Sequence, residues 1–112
     1  MTEGEDRIIE GSGNVFADLG LADADELLVC AELTHLVHAE LRDRHSTPSE
    51  AARLLGIEEN EAAKLIAGRF VRLPTERLLH LLTALDRDVD IVVRPRPAGQ
   101  SRARLRVVSA AA

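Results

Sequence analysis

The chain has 112 residues, is 46% hydrophobic, contains two Phe but no Trp or Tyr, and carries a formal net charge of −5. Its length suits one small domain with tails, since domains commonly run from ~50 to ~200 residues. It has no run of ~18 apolar residues and no basic-then-apolar leader, which excludes a membrane span and predicts a cytoplasmic protein. The single Cys30 excludes an internal disulfide, and its apolar surroundings favour a buried structural thiol.

Charge is distributed unevenly along the chain. Residues 1–46 sum to −8, residues 47–86 to −1 and residues 87–112 to +4. The negative total by itself argues against a general nucleic-acid binder, whereas the basic C-terminal end does not. We expect three parts: a flexible acidic segment over 1–22, a helical domain over 23–86, and a strand or hairpin with a basic tail over 87–112.

In residues 1–22 we expect no fixed secondary-structure element before Asp23. Phe16 and Leu19 are isolated apolar points in this segment, and they could anchor an extended chain on another surface. The alternative is a frayed terminus that packs on its own domain. The sequence leaves both possibilities open.

A long helix is predicted from Asp23 to about Arg44. Asp23 with Glu26 three residues on is typical of a helix start, and an apolar stripe at helical spacing follows. His35 and His38 lie three residues apart on it, but structural zinc normally needs four ligands, so we expect an ordinary half-exposed pair and no metal. The chain also has no nucleophile elbow, metal signature or Gly-rich phosphate loop, so we expect no cofactor and no enzyme.

The stretch from Thr47 to Gly68 predicts two short helices joined by a tight turn. Thr47 as N-cap, a proline in the first turn and Glu50 three residues after the cap predict the start of the first helix. Gly56 predicts its end, and a second helix over 58–67 is closed by Gly68 in the same way. A helix, a glycine-containing turn and a helix together indicate a helix-turn-helix.

A fourth helix is predicted from Pro74, with five leucines between positions 78 and 85 that exceed what one small domain usually buries. Alternation along the chain then predicts strands over 89–94 and 102–108. A lone hairpin is marginal in water, and unpaired strand edges pair readily with identical chains. We therefore predict a two-fold homodimer joined through this region.

The order of these motifs resembles the Cro/repressor-type (XRE) helix-turn-helix proteins, and within them the HigA-like antitoxins. The resemblance spans about residues 11–93 and rests on G-S-G-N-V-F-A-D-L-G-L, T-x-x-E-A-A-x-L-L-G-I and T-E-R-L-L-x-L-L-T-A-L-x-R-D-V-D-I-V-V. It implies a mostly α, lambda-repressor-like core of four to five helices with a C-terminal β-strand or hairpin. It also implies a dimeric regulator that binds double-stranded DNA, represses its own operon and neutralises a small RelE/HigB-like ribonuclease toxin.

The resemblance places the DNA contacts at the start of the first short helix and on the outward face of the second, and the arginines that follow are further candidates because they are basic. These positions are Pro48, Ser49, Glu59, Asn60, Ala63, Lys64, Ala67, Arg69 and Arg72. Phe16 and Leu19 are the candidate toxin-binding residues, because an acidic, partly apolar segment suits a basic partner.

The face of the second helix departs from the family pattern. Glu58, Glu59 and Glu61 stand where family members often have basic, Gln or Ser residues. Carboxylates oppose the phosphate attraction that supplies much of DNA affinity, although at a helix N-terminus the macrodipole stabilises them by ~0.3–1 kcal/mol. The alternative function is therefore a protein-interaction module, a toxin neutraliser or dimeric scaffold, with weak or lost DNA binding. The arginines of 102–106 either contact phosphate or form ion pairs with the acidic front.

Overall fold

The computed structural model describes residues 24–110 and the backbone of residues 6–9. In chain order its elements are β1 (Asp6–Ile9), α1 (Ala24–Asp43), α2 (Pro48–Leu55), α3 (Glu59–Ile66), α4 (Thr75–Ala84) and β2 (Val107–Ala110). This mostly helical arrangement with a C-terminal strand confirms the predicted fold class. Among the residues described, no helix combines the length and apolar character needed to cross a membrane.

Residues 30–90 form one compact unit with an aliphatic core. Helix α2 packs against both α3 and α4. Each buried Leu stabilises the fold by ~1.5–3 kcal/mol relative to an exposed one, so this core holds the four helices together. Its apolar side chains, all less than one-tenth exposed, are Cys30, Leu33, Val37, Leu41, Ala51, Leu55, Ala62, Leu65, Leu78, Leu81, Leu82 and Leu85.

The four helices end in the same type of hydrogen-bonded turn. In each, a backbone N–H donates to the carbonyl five residues earlier, which satisfies an acceptor that the helix leaves open. The residue just before that donor is left-handed, a conformation that costs a non-glycine residue roughly 1–2 kcal/mol. The four left-handed residues are His45 (φ 53°), Gly56 (φ 69°), Gly68 (φ 79°) and Asp86 (φ 65°). The sequence predicted the two glycines as helix ends but not His45 or Asp86.

Arg44 joins the C-terminal ends of α1 and α4. Its Nη2 donates to the carbonyl oxygen of Leu85 at 2.8 Å and lies 3.5 Å from Asp86 Oδ2. Glu40 approaches both Arg44 Nε at 3.8 Å and Arg87 Nε at 3.5 Å. A cation at the negative end of two helix dipoles is favourable, so this cluster helps to fix α4 against α1.

A second unit includes, among the described residues, 6–9, 24–29 and 91–110. In it β1 pairs antiparallel with β2, with Asp6 opposite Ala110 and Ile9 opposite Val107. The expectation of no fixed element before Asp23 is therefore wrong. Ile8, Ile9 and two valines are β-branched residues that favour strands, and β1 supplies the partner that β2 needs.

Both predicted strands of the C-terminal region differ from the structure. Residues 89–94 form no strand, because no strand in the described part of the chain lies beside them. The strand predicted over 102–108 begins only at Val107, since the backbone N–H of Leu105 donates to Asp25 Oδ2 at 3.4 Å instead of to a strand partner. The C-terminal strand is confirmed, but it pairs with β1 and not with a hairpin arm.

Candidate nucleic-acid interface

Helices α2 and α3 form the helix-turn-helix frame that the sequence predicts. Ala51 and Ala62 are fully buried, and side chains this small let two helices approach closely. Leu55 and Leu65 complete the buried side of the pair. The turn depends on Gly56, whose φ of 69° favours glycine although no atom would lie within 4 Å of an added Cβ.

The first turn of α2 is fixed by a capping box. Thr47 Oγ1 accepts the Glu50 N–H at 3.1 Å, and Glu50 Oε1 accepts the Thr47 N–H at 3.0 Å. Pro48 stands at the first helical position, as predicted. Pro48 and Ser49 are both exposed at this end. The positive end of the dipole and the exposed serine hydroxyl suit a phosphate oxygen.

The inward side of α3 is apolar and its outward side is open to solvent. Ala62 and Leu65 are fully buried and Ile66 is half-buried. Because residues three and four apart share a helix face, the remaining positions project away from the core. Those exposed residues are Glu59, Asn60, Ala63, Lys64 and Ala67, which is the face that the sequence predicts.

The outward face of α3 has two rows of residues, and successive residues within a row are one helical turn apart. Asn60 and Lys64 form one row, in which an amide can pair with adenine and an ammonium can reach guanine or phosphate. Glu59, Ala63 and Ala67 form the other, in which a carboxylate can accept from a cytosine amino group and methyl groups can meet a thymine methyl. The face is thus chemically able to distinguish bases, although its two alanines contribute no hydrogen bonds.

Five exposed cations lie on α2, on α3, in the loop after α3 and in the first turn of α4. In the described part of the chain none of them forms a salt bridge. Such side chains can neutralise phosphates without first breaking an internal ion pair, and phosphate neutralisation dominates the affinity of proteins for duplex DNA. The five are Arg53, Lys64, Arg69, Arg72 and Arg77.

Three carboxylates oppose this positive surface at the start of α3. Glu58 is the N-cap, yet its side chain makes no capping hydrogen bond, and Glu59 and Glu61 lie in the first turn. Their position at the positive helix end stabilises the helix. The same charges repel phosphate. The surrounding cations therefore favour DNA binding, whereas the first turn of α3 opposes it.

Helix α1 supports the C-terminal end of α3 through His38. His38 Nδ1 is 3.0 Å from the carbonyl oxygen of Leu65. Gly68, which closes α3, lies under the imidazole ring, and a Cβ there would come within 3.2 Å of His38 Cε1. His35 is exposed and His38 half-buried, as predicted for an ordinary pair. The structure thus assigns His38 a supporting role that spacing along the sequence did not indicate.

The loop between α3 and α4 is held by two buried polar groups of α1. The Cys30 thiol lies 3.5 Å from the Leu73 carbonyl oxygen and 3.8 Å from that of Val71. Thr34 Oγ1 donates to the Cys30 carbonyl at 2.7 Å and lies 3.5 Å from the Val71 oxygen. These contacts confirm the buried thiol and position the loop that carries Arg72. The contacts to Val71 and Leu73 join residues 37 to 43 positions apart, so no local sequence signal could have revealed them.

Arg102 of the basic tail forms an ion pair with an acidic residue near the start of α1. Its Nη1 and Nη2 donate to the two carboxylate oxygens of Asp25 at 3.1 and 3.3 Å. This hydrogen bonding, followed by charge attraction, raises the pKa of Arg102 above its ordinary value. For Arg102 the ion-pair alternative is therefore the one observed.

The structure places all nine predicted DNA-contacting residues at exposed positions in the unit of residues 30–90. Seven of them lie on the first turn of α2 and the outward side of α3, and two lie in the loop after α3. Their contact with DNA stays a prediction. The two candidate toxin-binding residues, Phe16 and Leu19, lie outside the described residues.

The sequence matches the profile of a family described as "Helix-turn-helix domain" over residues 15–94. A solved structure described as a "Putative XRE Family Transcriptional Regulator" superposes with a TM-score of 0.70 and 33% sequence identity. The alignment covers 78% of this chain and 98% of that one. No match is found among curated proteins. The likeness includes nearly the whole of the matched structure and extends to the sequence as well as the fold.

Proposed function

The chain belongs to the XRE-type helix-turn-helix family, and on that premise we propose that it is a sequence-specific, DNA-binding transcriptional regulator. The observation that carries this proposal is the solvent-exposed face of α3. It presents Asn60 and Lys64 in one row. Four further cations, on α2, in the loop after α3 and at the start of α4, have no ion-pair partner in the described structure. Side chains on α3 would discriminate bases, and the surrounding cations would hold the phosphate backbone.

The proposed docking mode places α3 in the major groove, with α2 crossing the backbone beside it. Ser49 and Arg72 would contact phosphates at the edges of the groove. A two-fold homodimer would present two copies of α3 to successive major grooves, spaced about one helical turn of DNA, or ~34 Å, apart. An operator for this protein would then be a palindrome.

The finer proposal is an antitoxin that represses its own operon. Its support is the resemblance of the motif order over residues 11–93 to HigA-like antitoxins, together with the charge of −8 over residues 1–46. An acidic segment with Phe16 and Leu19 as apolar anchors would suit a small basic ribonuclease. Neutralisation and DNA binding would use different parts of the chain.

One observation favours a second candidate, a protein-interaction module that has lost DNA binding. Glu58, Glu59 and Glu61 place three carboxylates on the first turn of α3, where a recognition helix meets the DNA. If these charges outweigh the five cations, the frame would serve only toxin binding or dimerisation. The two candidates differ in one measurable quantity, the affinity for a specific duplex.

The experiment is a fluorescence-anisotropy titration of the DNA upstream of the protein's own gene and of a scrambled duplex, at several salt concentrations. A regulator binds the upstream duplex more tightly, and Lys64→Ala weakens that binding by roughly 5- to 150-fold, the loss of one good base or phosphate contact. Asn60→Ala weakens binding to the upstream duplex more than to the scrambled one. Equal affinity for both duplexes, or no binding at low salt, would contradict the regulator proposal and favour the protein-interaction module.

A matched pair of variants tests the acidic turn. Glu59→Gln and Glu76→Gln remove one negative charge each, the first from the outward face of α3 and the second from the first turn of α4. Glu59→Gln should change the affinity for the upstream duplex, upward if the carboxylate repels phosphate and downward if it accepts from cytosine. Glu76→Gln should change it less, because Glu76 is on α4 and not on the outward face of α3.

The antitoxin proposal is tested with the neighbouring reading frame. A short basic protein encoded beside this one should co-purify with the wild-type chain, and Phe16→Ala with Leu19→Ala should weaken the complex. These two substitutions should leave affinity for the upstream duplex unchanged. Absence of such a reading frame, or a complex indifferent to both substitutions, removes the toxin-binding assignment and leaves a solitary regulator.

A further inference from the structure

The segment that follows the helical unit is apolar and exposed. Ile91, Val92 and Val93 are 77%, 65% and 89% exposed. In the described part of the chain, residues 88–96 make no backbone–backbone hydrogen bond. A run of three β-branched residues with open N–H and C=O groups is the kind of edge that pairs with another strand.

The same segment is complementary to itself when it is reversed. The sequence from Asp90 to Arg94 is D-I-V-V-R. In an antiparallel pair centred on Val92, each Asp90 stands opposite the partner copy's Arg94, and each Ile91 stands opposite a valine. Opposite charges directly across a pair are favourable, as are paired β-branched residues. A register shifted by one residue in either direction loses the charge pairing.

Proline chemistry favours the same five residues. Arg94 precedes Pro95, and a residue before proline is biased to extended conformations. Pro95 itself has no N–H to donate, so the pairing ends there. Both Asp90 and Arg94 are exposed, and neither takes part in a salt bridge within the described residues.

We propose that residues 90–94 are a self-pairing strand, by which two copies of this chain form an antiparallel ladder across a two-fold axis through Val92. This inference rests on the homodimer of the proposed function and specifies its register. Two ion pairs then flank an apolar centre of six β-branched side chains. A five-residue ladder is short, so the dimer is of modest affinity in free solution and is reinforced when both copies occupy one palindromic operator.

Charge reversal tests the register. Asp90→Arg and Arg94→Asp each create two like-charge pairs per dimer, and each should weaken dimerisation by about tenfold or more. The double variant with both substitutions restores the opposite-charge pairs and should recover dimerisation to within a few-fold of wild type. The measurement is sedimentation equilibrium of the free protein at tens to hundreds of micromolar. If the double variant remains as weak as the single variants, the register is wrong.

Mixing the two single variants gives an independent result. A chain with Asp90→Arg and a chain with Arg94→Asp have complementary charges at both positions, so the mixture should form heterodimers that neither variant forms alone. Native mass spectrometry distinguishes the two chains by mass. Absence of preferential heterodimers overturns the proposal, because any pairing that does not align positions 90 and 94 predicts a statistical mixture.

A cysteine at the two-fold axis reports the geometry directly. Val92→Cys places two thiols opposite each other, so oxidised glutathione should convert the protein to a disulfide-linked dimer. Ile91→Cys is the matched control, since its two copies would lie on a diagonal beyond the ~7 Å Cα separation that a disulfide tolerates. Native Cys30 is only 4% exposed and should not compete. Equal cross-linking of both variants overturns the register.

These outcomes separate the pairing from the proposed function. If the wild-type protein binds its upstream duplex as a dimer and charge reversal at positions 90 and 94 does not weaken dimerisation, the regulator proposal stands and the strand pairing is wrong. A monomer at hundreds of micromolar overturns both the homodimer and the strand.

Discussion

Residues 30–90 and residues 91–110 treat their apolar side chains in opposite ways. In the first, leucines such as Leu41, Leu65 and Leu78 are fully buried. In the second, Val93 is 89% exposed and Leu105 is 55% exposed. Both regions contain apolar residues at regular spacing, so composition does not explain the contrast. The difference lies in where each region finds partners for its backbone.

A helix satisfies its backbone within its own segment, whereas a strand depends on a neighbour. The helical unit therefore closes its backbone with short-range bonds, such as that from the Gly56 N–H to the Ala52 carbonyl at 2.9 Å. In the second unit β2 is paired over four residues with β1, and residues 91–96 make no backbone–backbone hydrogen bond in the described structure. Stability should accordingly be concentrated in residues 30–90.

The strongest challenge to this comparison is a pair of truncations, Leu78→Ala and Val93→Ala. Leu78 is fully buried, so its truncation should lower the free energy of unfolding by ~2–5 kcal/mol through lost transfer energy and a cavity. Val93→Ala should change it by less than ~0.5 kcal/mol, as for most exposed positions. Urea denaturation followed by circular dichroism, at a concentration where the protein is monomeric, measures both.

Similar losses for the two variants would mean that the segment after residue 90 contributes to the folded monomer as much as the core does. If Leu78→Ala does not fold, Ala62→Gly is a milder core variant for the same comparison. Ala62 is also fully buried, and its change lowers helix propensity by ~1 kcal/mol in addition to removing a methyl group.

The helical unit was predictable from the sequence because its signals are local. Thr47 and Glu50 lie three residues apart and form the capping box that their spacing predicts. Gly56 and Gly68 are left-handed at the predicted helix ends. The outward face of α3 followed from helical period once Ala62 and Leu65 were assigned to the core. Each of these inferences needs information from fewer than ten neighbouring residues.

The rest was not predictable because it depends on partners far along the chain. Alternation over 89–94 indicates strand propensity but does not say whether a neighbouring strand exists. The pairing of Ile9 with Val107 joins residues from the two ends of the sequence. The same holds at the candidate interface, where His38 supports the end of α3 through the Leu65 carbonyl, 27 residues away.

Substituting alanine at three glycines with positive φ compares the stability of the two regions again, with a smaller expected loss. Gly68→Ala should destabilise by ~1–2 kcal/mol, because alanine is strained at a φ of 79° and its Cβ would press on the His38 ring at 3.2 Å. Gly56→Ala, with φ 69° and open space, should cost less, roughly 1 kcal/mol or below. Thermal unfolding of the purified variants ranks them.

Gly99 is the counterpart in the other region. Its φ is 90° and no atom would lie within 4 Å of an added Cβ, so its local strain equals or exceeds that at Gly56. Yet Gly99→Ala should change global unfolding by less than ~0.5 kcal/mol, because its turn can relax without opening the helical core. A loss as large as that of Gly68→Ala would show that the two regions unfold together.

The two helix starts give the next effect. Thr47→Ala removes the hydroxyl that accepts the Glu50 N–H and should cost ~1 kcal/mol, although the backbone N–H of residue 47 can still donate to Glu50. Glu58→Ala at the start of α3 should cost less than half of that, because Glu58 makes no capping hydrogen bond and contributes only through the helix dipole. Chemical denaturation at low and high salt distinguishes them, since salt screens the dipole contribution and leaves the hydrogen bonds.

The smallest predicted effect comes from the two helix ends that use a residue other than glycine. His45→Gly should stabilise the protein by a few tenths of a kcal/mol up to ~1 kcal/mol, because relief of left-handed strain exceeds the added entropy of the unfolded chain. Asp86→Gly relieves the same strain but also removes the carboxylate 3.5 Å from Arg44. An ion pair in which Asp86 is 90% exposed is worth at most ~1 kcal/mol, so the two variants should differ by no more than that.

If Asp86→Gly is strongly destabilising while His45→Gly is not, the Arg44 cluster between α1 and α4 contributes far more than an exposed pair. The closure of the helical unit would then depend on charge at its last turn as well as on its leucines.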